Sequence, residues 1–211
     1  MLRGKKNWIL ALIAGFVMLS CQSEEEKTVI KEAELKTRVA LLVAEGFHDG
    51  EAFMPMAYLI NKGYDVTVIG AEVGEVKAYN SDFTINIEKS VADVKPQDFE
   101  ALVLPGGQGP AILREDEKVI DFVRKFWETG KVTAAICHGP QVLITAGVMD
   151  GKTSTGIGGI REELEEAGVH FKDESVVIDD NLITSRFPDD LYDFSKTIDQ
   201  EIQRRLINLR L

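Results

Sequence analysis

The chain has 211 residues, of which 45% are hydrophobic, and a formal net charge of −11. A chain of this length and composition builds one sizeable α/β core and has little left for a second domain. The acidic balance leaves no basic surface of the kind that nucleic acid binding needs, so DNA and RNA are not expected partners.

The first twenty residues have the pattern of a secretion signal. Three basic residues precede an apolar run over residues 8–19, which is shorter than the roughly 20 residues of a membrane-spanning helix. The run ends at Ser20-Cys21, which resembles the lipobox of bacterial lipoproteins, whose cysteine is lipidated and becomes the mature N-terminus. We expect a signal peptide over residues 1–20, lipidation at Cys21, and anchoring to a bacterial membrane in the periplasm or at the cell surface. The alternative is an ordinary signal peptide, or a membrane anchor with a free Cys21.

Residues 21–36 are predicted to form the lipidated N-terminus and a tether, because the segment is mostly charged and has neither a strand pattern nor a helix cap. Residues 37–211 then make up the folded domain. If Cys21 carries lipid, Cys137 has no partner for a disulfide within the chain and stays a free thiol.

Strand patterns alternate with helical patterns from residue 37 onward. Strands are predicted at 38–44, 64–70, 99–107 and 131–137, with a smaller strand or hairpin region before residue 94 and a hairpin at 175–185; helices are predicted at 52–63, 115–128, 140–147 and 189–209. This alternation indicates a mainly parallel sheet covered on both faces, with any site at the carboxyl ends of the strands. Three strand ends therefore matter, at residues 44–51, 105–110 and 137–140.

Cys137 stands between an apolar strand and the His-Gly-Pro that begins a helix. The N–H groups at a helix start stabilise a thiolate, so this position predicts an activated nucleophile with a lowered pKa; the alternative is a small buried structural cysteine. Attack on a carbonyl would create an oxyanion, for which the backbone N–H groups of Gly107 and His138 are the predicted donors. Gly106 is a predicted supporting residue.

Three segments together resemble the DJ-1/PfpI superfamily (ThiJ/PfpI-like): LVLPGG at 102–107, AAICHGPQVLITAGV at 134–148 and SRFPDDLYDF at 185–194. The resemblance spans about residues 37–206. It implies a flavodoxin-like three-layer α/β/α sandwich with Cys137 on a strained nucleophile elbow, and assembly as a homodimer or higher homo-oligomer.

The resemblance also implies a base next to the nucleophile. In the peptidase branch of the family, the residue after the cysteine is a histidine base, here His138, and an acid from a neighbouring subunit orients it. The position of that acid holds Ala111, so the peptidase triad is expected to be incomplete. His138 is then either the base or a residue that only packs at the elbow.

Family members place a glutamate close to the sulfur, where it shares a proton with the thiol. We match that position to His48, with Glu51 at the second glutamate of the pattern and Glu45 upstream, both as supporting residues. His48 then either replaces the carboxylate, forming a thiolate–imidazolium pair with Cys137, or catalysis has been lost.

Three classes of function follow from these residues. The leading one is a cofactor-independent enzyme whose Cys137 attacks a small reactive carbonyl, as in glyoxalase-like and deglycase-like members. The second is a PfpI-type cysteine peptidase or amidase, and the third is a non-catalytic thiol sensor, chaperone or binding module. No metal is expected, because His170 has no companion ligands. No nucleotide cofactor is expected either, because residues 151–155 lack the upstream glycine of a phosphate loop.

Overall fold

A computed structural model describes residues 37–208 of the chain. The predicted signal peptide, the lipidation site at Cys21 and the tether lie outside these residues. Within 37–208, no helix is long and apolar enough to cross a bilayer.

Strands and helices alternate through most of the described chain. The strands are β1 (Arg38–Leu42), β2 (Asp65–Gly70), β3 (Gly74–Lys77), β4 (Thr84–Ile87), β5 (Lys89–Ser90), β6 (Ala101–Leu104), β7 (Val132–Ile136), β8 (Thr153–Ser154), β9 (His170–Phe171), β10 (Val176–Asp179) and β11 (Leu182–Ser185). The helices are α1 (Asp49–Asn61), α2 (Gly109–Leu113), α3 (Glu117–Glu128), α4 (Pro140–Thr145), α5 (Arg161–Glu166) and α6 (Leu191–Asn208).

The main sheet has the strand order β10-β11-β7-β6-β1-β2-β5. Its neighbours pair in parallel except at one edge, where β10 and β11 form an antiparallel hairpin. Strands β3 and β4 form a separate hairpin, and β8 pairs with β9 in a second small sheet. The predicted fold class, a flavodoxin-like three-layer α/β/α sandwich with a mainly parallel sheet, is confirmed.

The core lies on both faces of the sheet, as strand β6 illustrates. Leu102 packs in the same layer as Phe126 of helix α3, whereas its neighbour Val103 packs in the opposite layer with Phe194 of helix α6. Successive side chains of a strand point to opposite faces, so a strand covered on both sides has to be apolar throughout. This is why β1, β6 and β7 are apolar at nearly every position in the sequence.

Helix α1 begins at Asp49, three residues before the predicted start at residue 52. Its first turn carries the acidic residues Asp49 and Glu51, and the residue that precedes the helix, His48, has an extended backbone. Acidic side chains are favourable at the positive end of a helix. They also interrupt the apolar periodicity from which the start of the helix was predicted. The short helices α2 and α5 and the strand pair β8–β9 were also not predicted from the sequence.

Candidate active site

Cys137 lies on a tight turn between strand β7 and helix α4, with a φ of 62°. A left-handed conformation is uncommon for a residue with a side chain, and neighbouring strands and loops hold it in place. The Cys137 N–H donates to the carbonyl of Ser185 at 3.1 Å, and the Cys137 carbonyl accepts from the N–H of Ile157 at 3.1 Å. The turn also passes close to strand β6, because a Cβ at Gly139 would overlap the carbonyl of Leu104. Cys137 therefore occupies a strained elbow at the carboxyl end of a central strand.

Two glycines after strand β6 approach the elbow closely. A Cβ at Gly106 would lie 2.6 Å from the Cβ of Cys137 and 2.6 Å from Oε2 of Glu51. Gly107 has a φ of 85°. The backbone N–H groups of Gly107 and His138 both lower the pKa of the Cys137 thiol, as donors close to a thiolate do. Both predicted donors therefore act on the reactive atom, and their action on an oxyanion stays a prediction.

The loop after strand β1 is tied to the loop after strand β6 by backbone hydrogen bonds. The His48 N–H donates to the carbonyl of Gly106 at 3.1 Å, and the Gln108 N–H donates to the carbonyl of Gly46 at 2.8 Å. Phe47 and Gly107 face each other across this short antiparallel bridge. The bridge fixes the start of helix α1 against the glycines that contact the sulfur.

Glu51, in the first turn of helix α1, is fully buried beside the thiol. Its Oε2 accepts the N–H of Gly106 at 2.8 Å, and a Cβ placed on Gly106 would lie 2.6 Å from both this oxygen and the Cβ of Cys137. Its other oxygen, Oε1, has no hydrogen-bond partner among the described residues. Burial raises the pKa of Glu51 to about 7, although the Gly106 N–H and the Cys137 thiol oppose the shift. The carboxyl group is thus able to hold or release a proton near neutral pH.

The pKa of the Cys137 thiol is raised above its ordinary value, first by burial and then by the negative charge of Glu51, against the lowering effect of the Gly107 and His138 N–H groups. The lowered pKa expected from the helix start is therefore wrong for the free protein. The sulfur is buried close to a carboxyl group, and no lysine or arginine of residues 37–208 contributes an opposing positive charge. The Cys137 thiol and the Glu51 carboxyl group titrate as a coupled pair, so each pKa belongs to the pair and not to one residue.

The match of His48 to the family's glutamate position is wrong, because Glu51 occupies the place beside the sulfur. His48 precedes helix α1, and its Nδ1 lies 3.5 Å from Oδ1 of Asp49. Its ring meets Tyr79 edge to face at 5.7 Å. Burial lowers the pKa of His48, with Asp49 opposing the shift. No hydrogen bond joins His48 to Cys137 among the described residues, so the expected thiolate–imidazolium pair is not formed there.

His138 contacts the nucleophile directly. Its Nδ1 lies 3.3 Å from Sγ of Cys137. Burial lowers the pKa of His138, and the negative charge of Glu163 opposes that effect. Ala111, at the position of the family's orienting acid, is exposed on helix α2 and supplies no carboxylate. The base role of His138 stays a prediction.

The remaining candidates lie around or away from this centre. Glu45 is exposed, and its Oε2 accepts the N–H of Lys77 at 2.9 Å. The side chain of Glu45 therefore binds the end of strand β3. His170 is exposed on strand β9, and residues 37–208 contain no cluster of acidic, histidine or cysteine side chains that is able to hold a metal. Sequence reasoning missed Tyr79, whose pKa is raised by burial and by the charges of the Cys137–Glu51 pair.

Comparisons with known proteins identify the family of the chain. The sequence model of the DJ-1/PfpI family matches residues 37–201. A deglycase of Thermococcus kodakarensis is 40% identical over 155 residues, which cover 74% of this chain and 93% of that protein. The protein YraA of Bacillus subtilis, named as a candidate cysteine protease, is 40% identical over 162 residues, which cover 77% of this chain and 96% of that protein.

A solved structure gives the same result for the fold. The crystal structure of Drosophila melanogaster DJ-1beta superposes with a TM-score of 0.73 at 31% sequence identity, covering 84% of this chain and 99% of that one. The family model covers most of the chain and the relatives are 31–40% identical over most of it, so the chain belongs to the DJ-1/PfpI family.

Proposed function

We propose that this protein is a cysteine-dependent enzyme that acts on a small reactive carbonyl, in the manner of a glyoxalase or deglycase, without a cofactor. The observation that carries the proposal is the buried carboxyl group of Glu51 beside the Cys137 thiol, with the N–H groups of Gly107 and His138 on the same sulfur. The name of the Thermococcus kodakarensis relative, a deglycase, supports the same class of substrate.

The first chemical step follows from these positions. The sulfur of Cys137 forms a bond to the aldehyde carbon of the substrate, and the thiol proton passes to the carboxylate of Glu51. The electron pair of the carbonyl moves to its oxygen, which becomes an oxyanion within reach of the Gly107 and His138 N–H groups. A carboxyl group whose pKa lies near neutral pH suits this exchange, because it accepts the proton in one step and returns it in a later one.

A second candidate, a cysteine peptidase or amidase, is favoured by one contact. His138 lies 3.3 Å from the sulfur through Nδ1. A histidine at this place is able to take the thiol proton as a base and then, as an acid, to give it to the leaving amine. The relative YraA is named in the same class. Ala111 weighs against this candidate, because the peptidase branch orients its histidine with an acid at that position.

We also propose that the mature protein is exported and lipid-anchored through Cys21, on the basis of the lipobox-like end of the apolar run. We further propose a homodimer or higher homo-oligomer. Phe83 is 62% exposed, and its ring packs edge to face on Phe53 at 6.0 Å, which gives an apolar surface suited to a second copy. Sedimentation of wild type and Phe83→Ser tests this assembly: a smaller species in the variant supports it, and identical monomers contradict it.

Incubation of the purified protein with methylglyoxal tests the leading proposal. We expect loss of methylglyoxal with formation of lactate, and loss of that activity in Cys137→Ser and Glu51→Gln. Glu45→Gln is the matched control, because Glu45 is an exposed glutamate bound to strand β3. Cleavage of a peptide panel in place of methylglyoxal turnover would favour the peptidase candidate. Absence of both activities, with Cys137 still open to iodoacetamide, would favour a thiol sensor or binding module.

A further inference from the structure

The carboxyl end of strand β11 binds the backbone of the nucleophile. The Ser185 carbonyl accepts the Cys137 N–H at 3.1 Å, directly after the last register pair of strands β11 and β7, Ser185 with Ile136. The φ of Cys137 is 62°, and a side-chain-bearing residue keeps such a conformation only where its surroundings hold it. The Ser185 carbonyl is therefore one of the groups that keep the elbow in its strained shape.

Ser185 lies near an edge of the main sheet. Strand β11 has a parallel neighbour on one side only, because its other neighbour is the antiparallel edge strand β10. The buried Ser185 hydroxyl donates to the carbonyl of Ser175, just before strand β10, at 2.7 Å. The position of the Ser185 carbonyl thus depends on the segment before strand β10 and on the residues that follow strand β11.

Arg186, the next residue, binds the segments on both sides of it. Its Nε and Nη2 donate to the two carboxylate oxygens of Asp190 at 2.9 and 3.1 Å, and its Nη1 donates to Oδ1 of Asp173 at 2.8 Å. Its guanidinium carbon also lies 4.6 Å from the centre of the Phe187 ring. A contact through two nitrogens fixes the orientation of a guanidinium as well as its position. Arg186 therefore ties the end of strand β11 to the segment before β10 and to the turn before helix α6.

The two carboxylates differ in burial. The side chain of Asp190 is 8% exposed, whereas that of Asp173 is 76% exposed. An exposed ion pair contributes little, because water and salt screen it. A buried carboxylate that loses its partner is left with an uncompensated charge, which is strongly unfavourable. The contact between Arg186 and Asp190 is therefore the stronger of the two.

We propose that Arg186 is a positioning residue for the nucleophile, which acts through the Ser185 carbonyl. Loss of the contact between Arg186 and Asp190 lets the end of strand β11 shift, so that the Cys137 N–H loses its acceptor and the elbow relaxes. The inference rests on the proposed role of Cys137 as the nucleophile. Its main measurement is the exchange of a backbone amide hydrogen, which needs no turnover, so its failure is distinguishable from failure of the enzyme proposal.

Amide hydrogen exchange in the full chain, followed by NMR, tests the proposal. Arg186→Gln should accelerate exchange at the Cys137 N–H by about tenfold or more beyond any change at Ala135, which is buried within strand β7. A loss of global stability alone would accelerate exchange at Ala135 at least as much as at Cys137. Asp190→Asn should act like Arg186→Gln, and Asp173→Asn should change the Cys137 rate by less than about threefold.

Arg204→Gln is the matched control. Arg204 also binds a single acidic residue, Glu201, through two nitrogens, but it lies beside Val132 at the start of strand β7, at the opposite end from the elbow. This variant should leave exchange at Cys137 unchanged. Arg186→Lys retains the charge without the contact through two nitrogens, and should give a smaller acceleration than Arg186→Gln.

The local effect on Cys137 decides the proposal. Equal acceleration at Cys137 and Ala135 in Arg186→Gln would show a merely structural effect and overturn it, and unchanged exchange at Cys137 would overturn it too. Where wild type turns over methylglyoxal, Arg186→Gln should lower kcat and leave KM within about twofold; an unchanged kcat would contradict the positioning role. If Arg186→Gln fails to fold, Asp190→Asn and Arg186→Lys decide by the same comparison.

Discussion

Replacement of Glu51 by glutamine should change how the stability of the protein depends on pH. The pKa of Glu51 is raised from 4.5 to about 7 in the folded protein. A group with a raised folded pKa contributes stability that is fully present below its unfolded pKa and is lost as pH rises through the folded value. One pKa unit corresponds to about 1.4 kcal/mol, so wild type should lose about 3 kcal/mol at this site between pH 4 and pH 8.

Urea unfolding of wild type and Glu51→Gln at several pH values from 4 to 8 measures this difference, if both unfold in a single transition. The stability of the variant relative to wild type should increase by about 3 kcal/mol across the range, since glutamine has no charge to bury. Titrating groups that do not sense the charge of Glu51 cancel in the comparison. Cys137 and Tyr79 do sense it, but the pKa of each is raised, so both keep their protons over this pH range. Glu45→Gln should show no such trend. Parallel stability curves for wild type and Glu51→Gln would refute the argument that the carboxyl group titrates inside the folded site.

Three further changes have defined outcomes. Gly106→Ala should destabilise the protein by about 2 kcal/mol or more, because its Cβ would overlap the Cys137 side chain. Gly158→Ala, with open space around it, is the control in thermal unfolding. Equal melting temperatures for the two variants would contradict this expectation. In His48→Ala, the rate of Cys137 alkylation by iodoacetamide at each pH should stay within about twofold of the wild-type rate, because His48 makes no described hydrogen bond to the thiol. A large change in this rate would show that His48 does act on the thiol. Cys21→Ala should move the protein from the detergent phase to the aqueous phase after expression in a lipoprotein-processing host, and unchanged retention would exclude lipidation at this residue.

The parallel sheet was predictable because burial on two faces forces a simple pattern on the sequence. Strands β1, β6 and β7 are apolar at every position or nearly so, and the glycine and proline residues that follow mark where each ends. The turn at Cys137 was predictable because Cys-His-Gly-Pro directly follows an apolar run. Small elements such as β8 and β9, of two residues each, leave no periodic signal and escaped prediction.

The identity of the proton partner was not predictable from spacing alone. His48 and Glu51 are both polar residues near the end of strand β1, and only the start of helix α1 at Asp49 decides which one faces the sulfur. The hydrogen bond between Gln141 and Glu163 was not predictable for a different reason. The two residues lie 22 apart in the chain, and no local pattern indicates a contact between helix α4 and helix α5.

The backbone bridge between the loops after β1 and β6 has a consequence for local unfolding. Since the His48 and Gln108 N–H groups donate to carbonyls of opposite loops, neither loop is able to open without breaking the bonds of both. Groups joined in this way exchange their amide hydrogens with solvent as one cooperative unit. The carboxyl group of Glu51 and the glycine N–H groups would therefore be lost together and regained together during fluctuations. A partly assembled site, with an exposed thiol but no proton acceptor, would rarely be populated.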